Sequence, residues 1–261
     1  MAAAEATRCA ICLEALGQGI ELPCSCKVDY CLHCWDKALA KSFNLCAKPR
    51  CPTCRSPIRV DFDAKTGNLL FSPESSEEDA DQTRRRIAEQ MRPVQVQLLE
   101  DFGSEHPLDE EASVDDVAAA AAFAGRLSEE GAAPRCVCGS GMERVSLRER
   151  ARRFFVQAGQ WLDSERLAPV LARGLVRIVC DLCGEPLDLE QPFVWVCERG
   201  DSTIKHATSN DVCTRCLLEH AWGIAPPPAP AAEGEPSAEG EPPVQEEEED
   251  PAPAPEGAPA A

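Results

Sequence analysis

Residues 9–54 read CAICLEALGQGIELPCSCKVDYCLHCWDKALAKSFNLCAKPRCPTC, and eight of the nine cysteines in this stretch fall into four close pairs. The order is Cys9-x2-Cys12, eleven residues, Cys24-x-Cys26, four residues, Cys31-x2-Cys34, sixteen residues, Cys51-x2-Cys54. A two-residue gap lets a tight turn aim two sulfurs at one ion, so each pair supplies half of a tetrahedral zinc site. Four pairs make two sites. Three further pairs lie downstream, Cys136/Cys138, Cys180/Cys183 and Cys213/Cys216, so fourteen of the sixteen cysteines are paired in sequence.

Composition agrees with a metal-built protein. Aromatic residues make up 5% of the 261 positions and much of the apolar content is alanine, which predicts no large conventional core. Small modules that bury too little apolar surface rely on metals or disulfides. The start, Met1 to Glu5, has no basic segment followed by an apolar one, and no run is long and apolar enough to span a bilayer. A cytoplasmic or nuclear location, with thiols kept reduced, is therefore expected, and paired cysteines then read as zinc ligands rather than disulfides.

The net charge of −19 is unevenly spread: residues 226–261 carry ten acidic and no basic side chains, and residues 74–130 carry sixteen acidic and five basic. Nothing in this distribution looks like a nucleic-acid surface. Four parts follow: a first cysteine module at 5–72, an acidic connector at 73–133, a second zinc-binding module at 134–224, and a Pro/Ala/Glu tail at 225–261 expected to be disordered. The fold class expected is small zinc-stabilised α+β modules. Within the connector, 76–99 and 114–128 have helical composition but are too short or too polar to stand alone. In the second module a helix is expected from about Met142 to Leu162, with Leu147, Ala151, Phe154, Phe155, Ala158, Trp161 and Leu162 on its apolar face and Arg148, Arg152 and Arg153 off it.

The spacing of the first module allows Cys9 and Cys12 to join Cys31 and Cys34 on one zinc, and Cys24 and Cys26 to join Cys51 and Cys54 on another. This interleaving is the cross-brace of RING domains. Cys9-Ala-Ile-Cys12, Leu22-Pro23-Cys24, Cys31-x2-Cys34-Trp35 and Cys51-Pro52-x-Cys54-Arg55 resemble the signature of RING ubiquitin ligases, here in an all-cysteine form similar to that of the deadenylase-complex ligase subunit. The resemblance covers about 50 residues of the chain. It implies docking of a ubiquitin-charged E2 with no covalent intermediate, the rate gain coming from positioning. By the resemblance, Ile11, Trp35 and Pro52 would form the apolar groove for E2 loops, and Arg55 would bridge E2 and ubiquitin, its fork suited to two carbonyls. Each has a plainer reading: Ile11 packing under the first zinc, Trp35 as core at the start of a helix running through Lys41, Pro52 rigidifying its turn, Arg55 an ordinary surface residue. Cys46 is spare, either a buried small residue or an alternative to Cys51, and His33 is a bystander.

In the second module, Cys180, Cys183, Cys213 and Cys216 make one four-ligand site. Val196-Cys197 and Asn210-Asp211-Val212-Cys213, with His220 trailing, resemble a degenerate ZZ-type finger that lacks the internal Cys-x2-Cys. Cys136, Cys138, Cys197 and His206 could complete a further site, with His220 the rival to His206. Zinc is thus the expected cofactor, two ions in the first module and one or two in the second. Three functions are open: a RING-type ligase whose second module recruits a protein substrate or partner, a non-enzymatic zinc adaptor, and an RNA-associated zinc protein suggested by the arginines at 144–153. No membrane partner is expected.

Overall fold

In a computed structural model of the chain, which describes residues 7–17, 19–75, 78–108, 117–157, 170, 178–187 and 193–224, the third cysteine pair opens helix α1 (Leu32–Cys46). Its buried residues, Trp35, Leu39, Ala40 and Phe43, recur at helical spacing, and Ala47 ends it in a left-handed conformation, donating its N–H to Phe43 O at 2.8 Å. A hairpin follows, β1 (Ile58–Asp63) antiparallel to β2 (Asn68–Pro73). Ile58, Val60 and Phe62 alternate inward along it.

Helix α2 (Ala80–Glu105) starts at a capping box in which Asp79 and Gln82 satisfy each other's backbone N–H. Its buried residues Thr83, Ile87, Met91, Gln95, Leu99 and Phe102 form one stripe at four-residue steps with a three-residue close. A second helix, α3 (Val117–Glu129), buries Ala120, Ala124 and Leu127. The connector is thus helical over Ala80–Glu105 and Val117–Glu129, close to the expected 76–99 and 114–128, and α2 is a strut between the modules. Arg86 reaches Val60 O and the carboxylates of Asp61 and Glu78 on one side, and Gln95 reaches the second module on the other.

The second module contains a three-stranded antiparallel sheet, β3 (Glu143–Ser146), β4 (Phe193–Cys197) and β5 (Asn210–Cys213), in that order, with α4 (Leu147–Gln157) after β3 and α5 (Thr214–Trp222) after β5. The expected helix from Met142 therefore begins five residues late, because Glu143–Ser146 pairs with 193–196 instead. Leu147 and Ala151 are buried as expected, but Phe154 is 44% exposed; Ala158, Trp161 and Leu162 lie outside the described residues, as does the tail.

One buried cluster runs from Trp35, Leu39 and Phe43 through Val60, Ile87, Met91, Leu99 and Phe102 to Trp195, Ile204 and Leu217. This cluster is larger than the composition predicted and is shared by the modules, because α2 presents its stripe to both; three smaller clusters lie beside it. α2 packs closely on α5. A Cβ added at Gly103 would lie 1.8 Å from Ala221 O. Gly103→Ala should therefore destabilise the protein by about 1–3 kcal/mol through overpacking, outweighing the roughly 1 kcal/mol that alanine gains in helix propensity. A thermal melt reads the sign: a raised Tm would mean the helices are free to part. No described helix is long and apolar enough to cross a membrane.

Candidate metal centres

Four cysteine turns share one construction. In each, the first cysteine N–H donates to a carbonyl four or five residues on: Cys9 to Glu14 at 3.0 Å, Cys51 to Ser56 at 3.0 Å, Cys180 to Glu185 at 2.9 Å and Cys136 to Ser140 at 2.8 Å. The residue after the second cysteine takes positive φ every time: Leu13 63°, Arg55 61°, Gly184 76° and Gly139 85°. Glycine accepts this freely, whereas Leu13 and Arg55 hold it at a cost of about 1–2 kcal/mol. A short bridge closes each turn, Arg8 to Ala15, Arg50 to Pro57, Val179 to Pro186 and Arg135 to Gly141.

These turns deliver the ligands. The sulfurs of Cys9, Cys12, Cys31 and Cys34 lie within 4.8 Å of one another, as do those of Cys24, Cys26, Cys51 and Cys54. Cys31 also caps α1, its sulfur accepting Cys34 N–H at 3.4 Å. Cys24 Sγ is 3.6 Å and Cys26 Sγ 3.9 Å from Cys51 Sγ. A tetrahedron with metal–sulfur bonds of about 2.3 Å has an edge of about 3.8 Å, whereas a disulfide would require about 2.05 Å. The donor set and edge lengths therefore fit zinc, and every cysteine is a free thiol.

The second module repeats the plan with a difference in order. Cys136, Cys138, Cys197 and His206 converge, with Cys138 Sγ 3.6 Å and His206 Nε2 3.7 Å from Cys197 Sγ. Cys180, Cys183, Cys213 and Cys216 form the fourth cluster, with edges of 3.8 Å and 4.0 Å. The module is cross-braced, the first pair joining the third and the second joining the fourth. Cys213 caps α5 as Cys31 caps α1, accepting Cys216 N–H at 3.4 Å. The hydrogen bond from Asp181 N to Asp211 O, 2.8 Å, repeats the one from Ala10 N to Asp29 O, 2.8 Å. In the first module the parts run turn, the Cys24/Cys26 pair on the loop before α1, helix pair, turn. In the second they run turn, turn, hairpin pair, helix pair, as though the last turn had been moved to the front. His220, on α5, belongs to no cluster.

Within the clusters the thiols split, some held low and others pushed up, Cys26, Cys34 and Cys183 to about 12. Hydrogen bonds from the Cys136 and Cys197 thiols hold Cys138 far below the usual thiol range, and Cys136 correspondingly rises. The thiols of Cys180 and Cys216 lower Cys213 to about 4, and the Ser56 hydroxyl, 3.2 Å away, lowers Cys54 to about 6. A thiolate is the form that ligates.

Sequence reading missed the support of the third cluster. Asn210, buried in β5, donates to Cys136 Sγ at 3.3 Å and to Gln95 Oε1 at 2.7 Å, and Gln95 also binds Val137 N and Arg135 O. Polar residues inside an otherwise apolar stripe were the available signal. Asn210→Ala should weaken metal retention at this cluster by about 10–100-fold, read by competition with a chromophoric chelator. Equal retention would show that Asn210 does not orient Cys136.

Of the residues assigned to a docking surface, Ile11 (47% exposed), Pro52 and Arg55 are at the surface. The Arg55 guanidinium makes no hydrogen bond or ion pair among the described residues. Trp35 is corrected: it is fully buried, its ring 5.3 Å from Tyr30 and 5.9 Å edge-on to Phe71, so it is core rather than groove. Two apolar residues were overlooked. Leu13 (65% exposed) and Leu32 (46%) flank ligands of the same cluster as Ile11, so the three surround one centre. Cys46 is exposed at the end of α1 and outside the clusters, not buried; its thiol donates to Ser42 O at 2.9 Å. His33 is exposed.

The arginines of α4 are largely committed. Arg152 and Arg153 pair with Glu149, and Arg153 also with Glu143 and Glu198. Arg150 is buried and forks onto Asp211 at 2.6 and 2.9 Å. The chain is thus a protein of two cross-braced modules holding four clusters that could bind zinc. No protein family, curated protein or solved structure matches it.

Proposed function

We propose that the protein is a RING-type ubiquitin ligase whose first module docks a ubiquitin-charged E2. The observation that carries this reading is the cross-braced pair of four-cysteine clusters with Ile11, Pro52 and Arg55 exposed on the turns that build them. In the reaction a substrate lysine amine attacks the thioester carbonyl, the E2 cysteine leaves as a thiolate, and an isopeptide bond forms. No bond forms to this chain. Its contribution is to restrain the thioester, with Arg55 as the donor that spans E2 and ubiquitin and the Ile11, Leu13 and Leu32 side chains as the apolar contact. The second module would hold substrate or partner against the same rigid body.

The burial of Trp35 favours a second reading, a zinc adaptor with no E2 partner, since it removes one of four expected contacts. Discharge of ubiquitin from a panel of charged E2s onto free lysine separates the two. Acceleration supports the ligase; its absence with every E2, from a folded and fully metallated chain, supports the adaptor. The RNA reading loses its support, because the arginines that suggested it are largely paired with carboxylates in the fold.

A further inference from the structure

A cleft separates α2 from the second module, with His206 and Cys180, each a member of a metal cluster, on its wall. Its inner end is a slot of about 40 Å³ floored by Phe43, Ile87, Met91 and Ile204. Its outer end is a groove of about 500 Å³ that runs along the turn at Val179, Gly184 and Pro186. Arg84, Ala88 and Arg92, one row of α2 at four-residue spacing, line both ends and join them. By the measure that one water occupies about 10–15 Å³, the slot takes about three water-sized atoms, the bulk of one branched aliphatic side chain.

The charges in the groove are uneven in their commitments. The Arg84 guanidinium is bound to Asp81 at 2.9 Å and lies over the Phe43 ring. Lys205 directs its ammonium to Val137 O at 3.4 Å. On the acidic side, Asp181 accepts the Asp211 N–H at 2.6 Å, and Glu89 lines the groove. Arg85 and Arg92 remain exposed with no ion pair or hydrogen bond among the described residues. Two uncommitted guanidiniums beside an apolar slot are out of keeping with a chain of net charge −19.

We infer that this cleft binds a short peptide segment of a partner protein in which one aliphatic side chain is flanked by carboxylates. The aliphatic group enters the slot over Met91 and Ile204, and the carboxylates meet Arg85 and Arg92, whose planar forks suit them. The slot argues against a nucleic acid, which has no aliphatic group to place there. This deepens the ligase reading, on which the identification of the segment as a substrate's recognition sequence rests.

The test uses the full-length metallated chain and a fluorescein-labelled nonapeptide with a central leucine, two glutamates on each side and Gly/Ser ends. Saturable binding is expected by anisotropy. Arg85→Glu with Arg92→Glu, both at exposed positions, should weaken it about tenfold or more, and a serine-centred peptide should bind comparably weakly. Discharge of ubiquitin to free lysine by the double variant should be unchanged, so the cleft and the E2 surface can fail separately. The inference is overturned if the leucine peptide does not saturate, if the serine peptide binds equally, if charge reversal has no effect, or if a short single-stranded oligonucleotide displaces the peptide at lower concentration.

Discussion

Stripping metal from the full-length chain is expected to unfold the body through residue 224 in one transition rather than module by module. Each structural zinc site contributes on the order of 10 kcal/mol conditional on folding, comparable with the whole stability of a domain at about 5–15 kcal/mol. Loss of any one centre is then enough to unfold what depends on it. What depends on it is set by the shared core. The segment that carries His206 is tied to α1, Asp36 accepting the Ile204 N–H at 2.6 Å and Asn44 donating to Asp201 at 2.9 Å. α1 in turn begins at Cys31, a ligand of the first cluster. Cys136→Ser should therefore disturb the first module as well as its own. The measurement is helical circular dichroism and tryptophan emission, with Trp35 and Trp195 buried in different modules, during titration with a chelator and parallel metal counting. Coincident curves, with four ions released per chain, are expected from the four clusters. Two separate steps would show the modules to be independent and the shared core to be of little energetic weight.

If the first module acts as the proposed ligase, replacing Arg55 should abolish most discharge while leaving the fold intact, provided the right substitution is chosen. Its φ of 61° lies in the left-handed region, where alanine is strained and glycine is not. Arg55→Gly removes the guanidinium and relaxes the turn, so a loss of discharge cannot be assigned to unfolding. Ile11→Ala removes an exposed side chain and should cost little stability. Each should reduce E2-dependent discharge about tenfold or more if they act as anchors of the contact. Trp35→Ala would be misleading. Removing a fully buried indole costs about 3–5 kcal/mol and would silence the module through its core. Full activity in Arg55→Gly would show that no bridging arginine is used and would move the assignment toward the adaptor.

The clusters could be read from the chain because ligand spacing is a local property. A cysteine pair two residues apart can face one ion whatever surrounds it; the spacing allows the interleaved pairing, which the resemblance to RING domains singles out. His206 was legible as a partner of Cys197 only as one of two histidines. Position on the β4–β5 hairpin, rather than spacing, chose it over His220. The strand at Glu143–Ser146 was not legible, since four residues rich in charge have no strand periodicity and pair only because 193–196 lies alongside. Arg150 was unreadable for a similar reason: its carboxylate partner is 61 residues away.

The sequence by itself determined which cysteines could share a metal ion in three of the four clusters, and that Ile11, Pro52 and Arg55 are candidates for contact with a partner. Tertiary structure alone decided that Trp35 belongs to the core, that the acidic connector supplies the strut α2, and that two modules share one hydrophobic interior. The division has a physical cause. Ligand pairs act over one turn of chain, whereas burial is a property of everything that packs around a side chain. The stripe on α2, with Gln95 among its apolar residues, shows which faces are inward only when both of its neighbours are present.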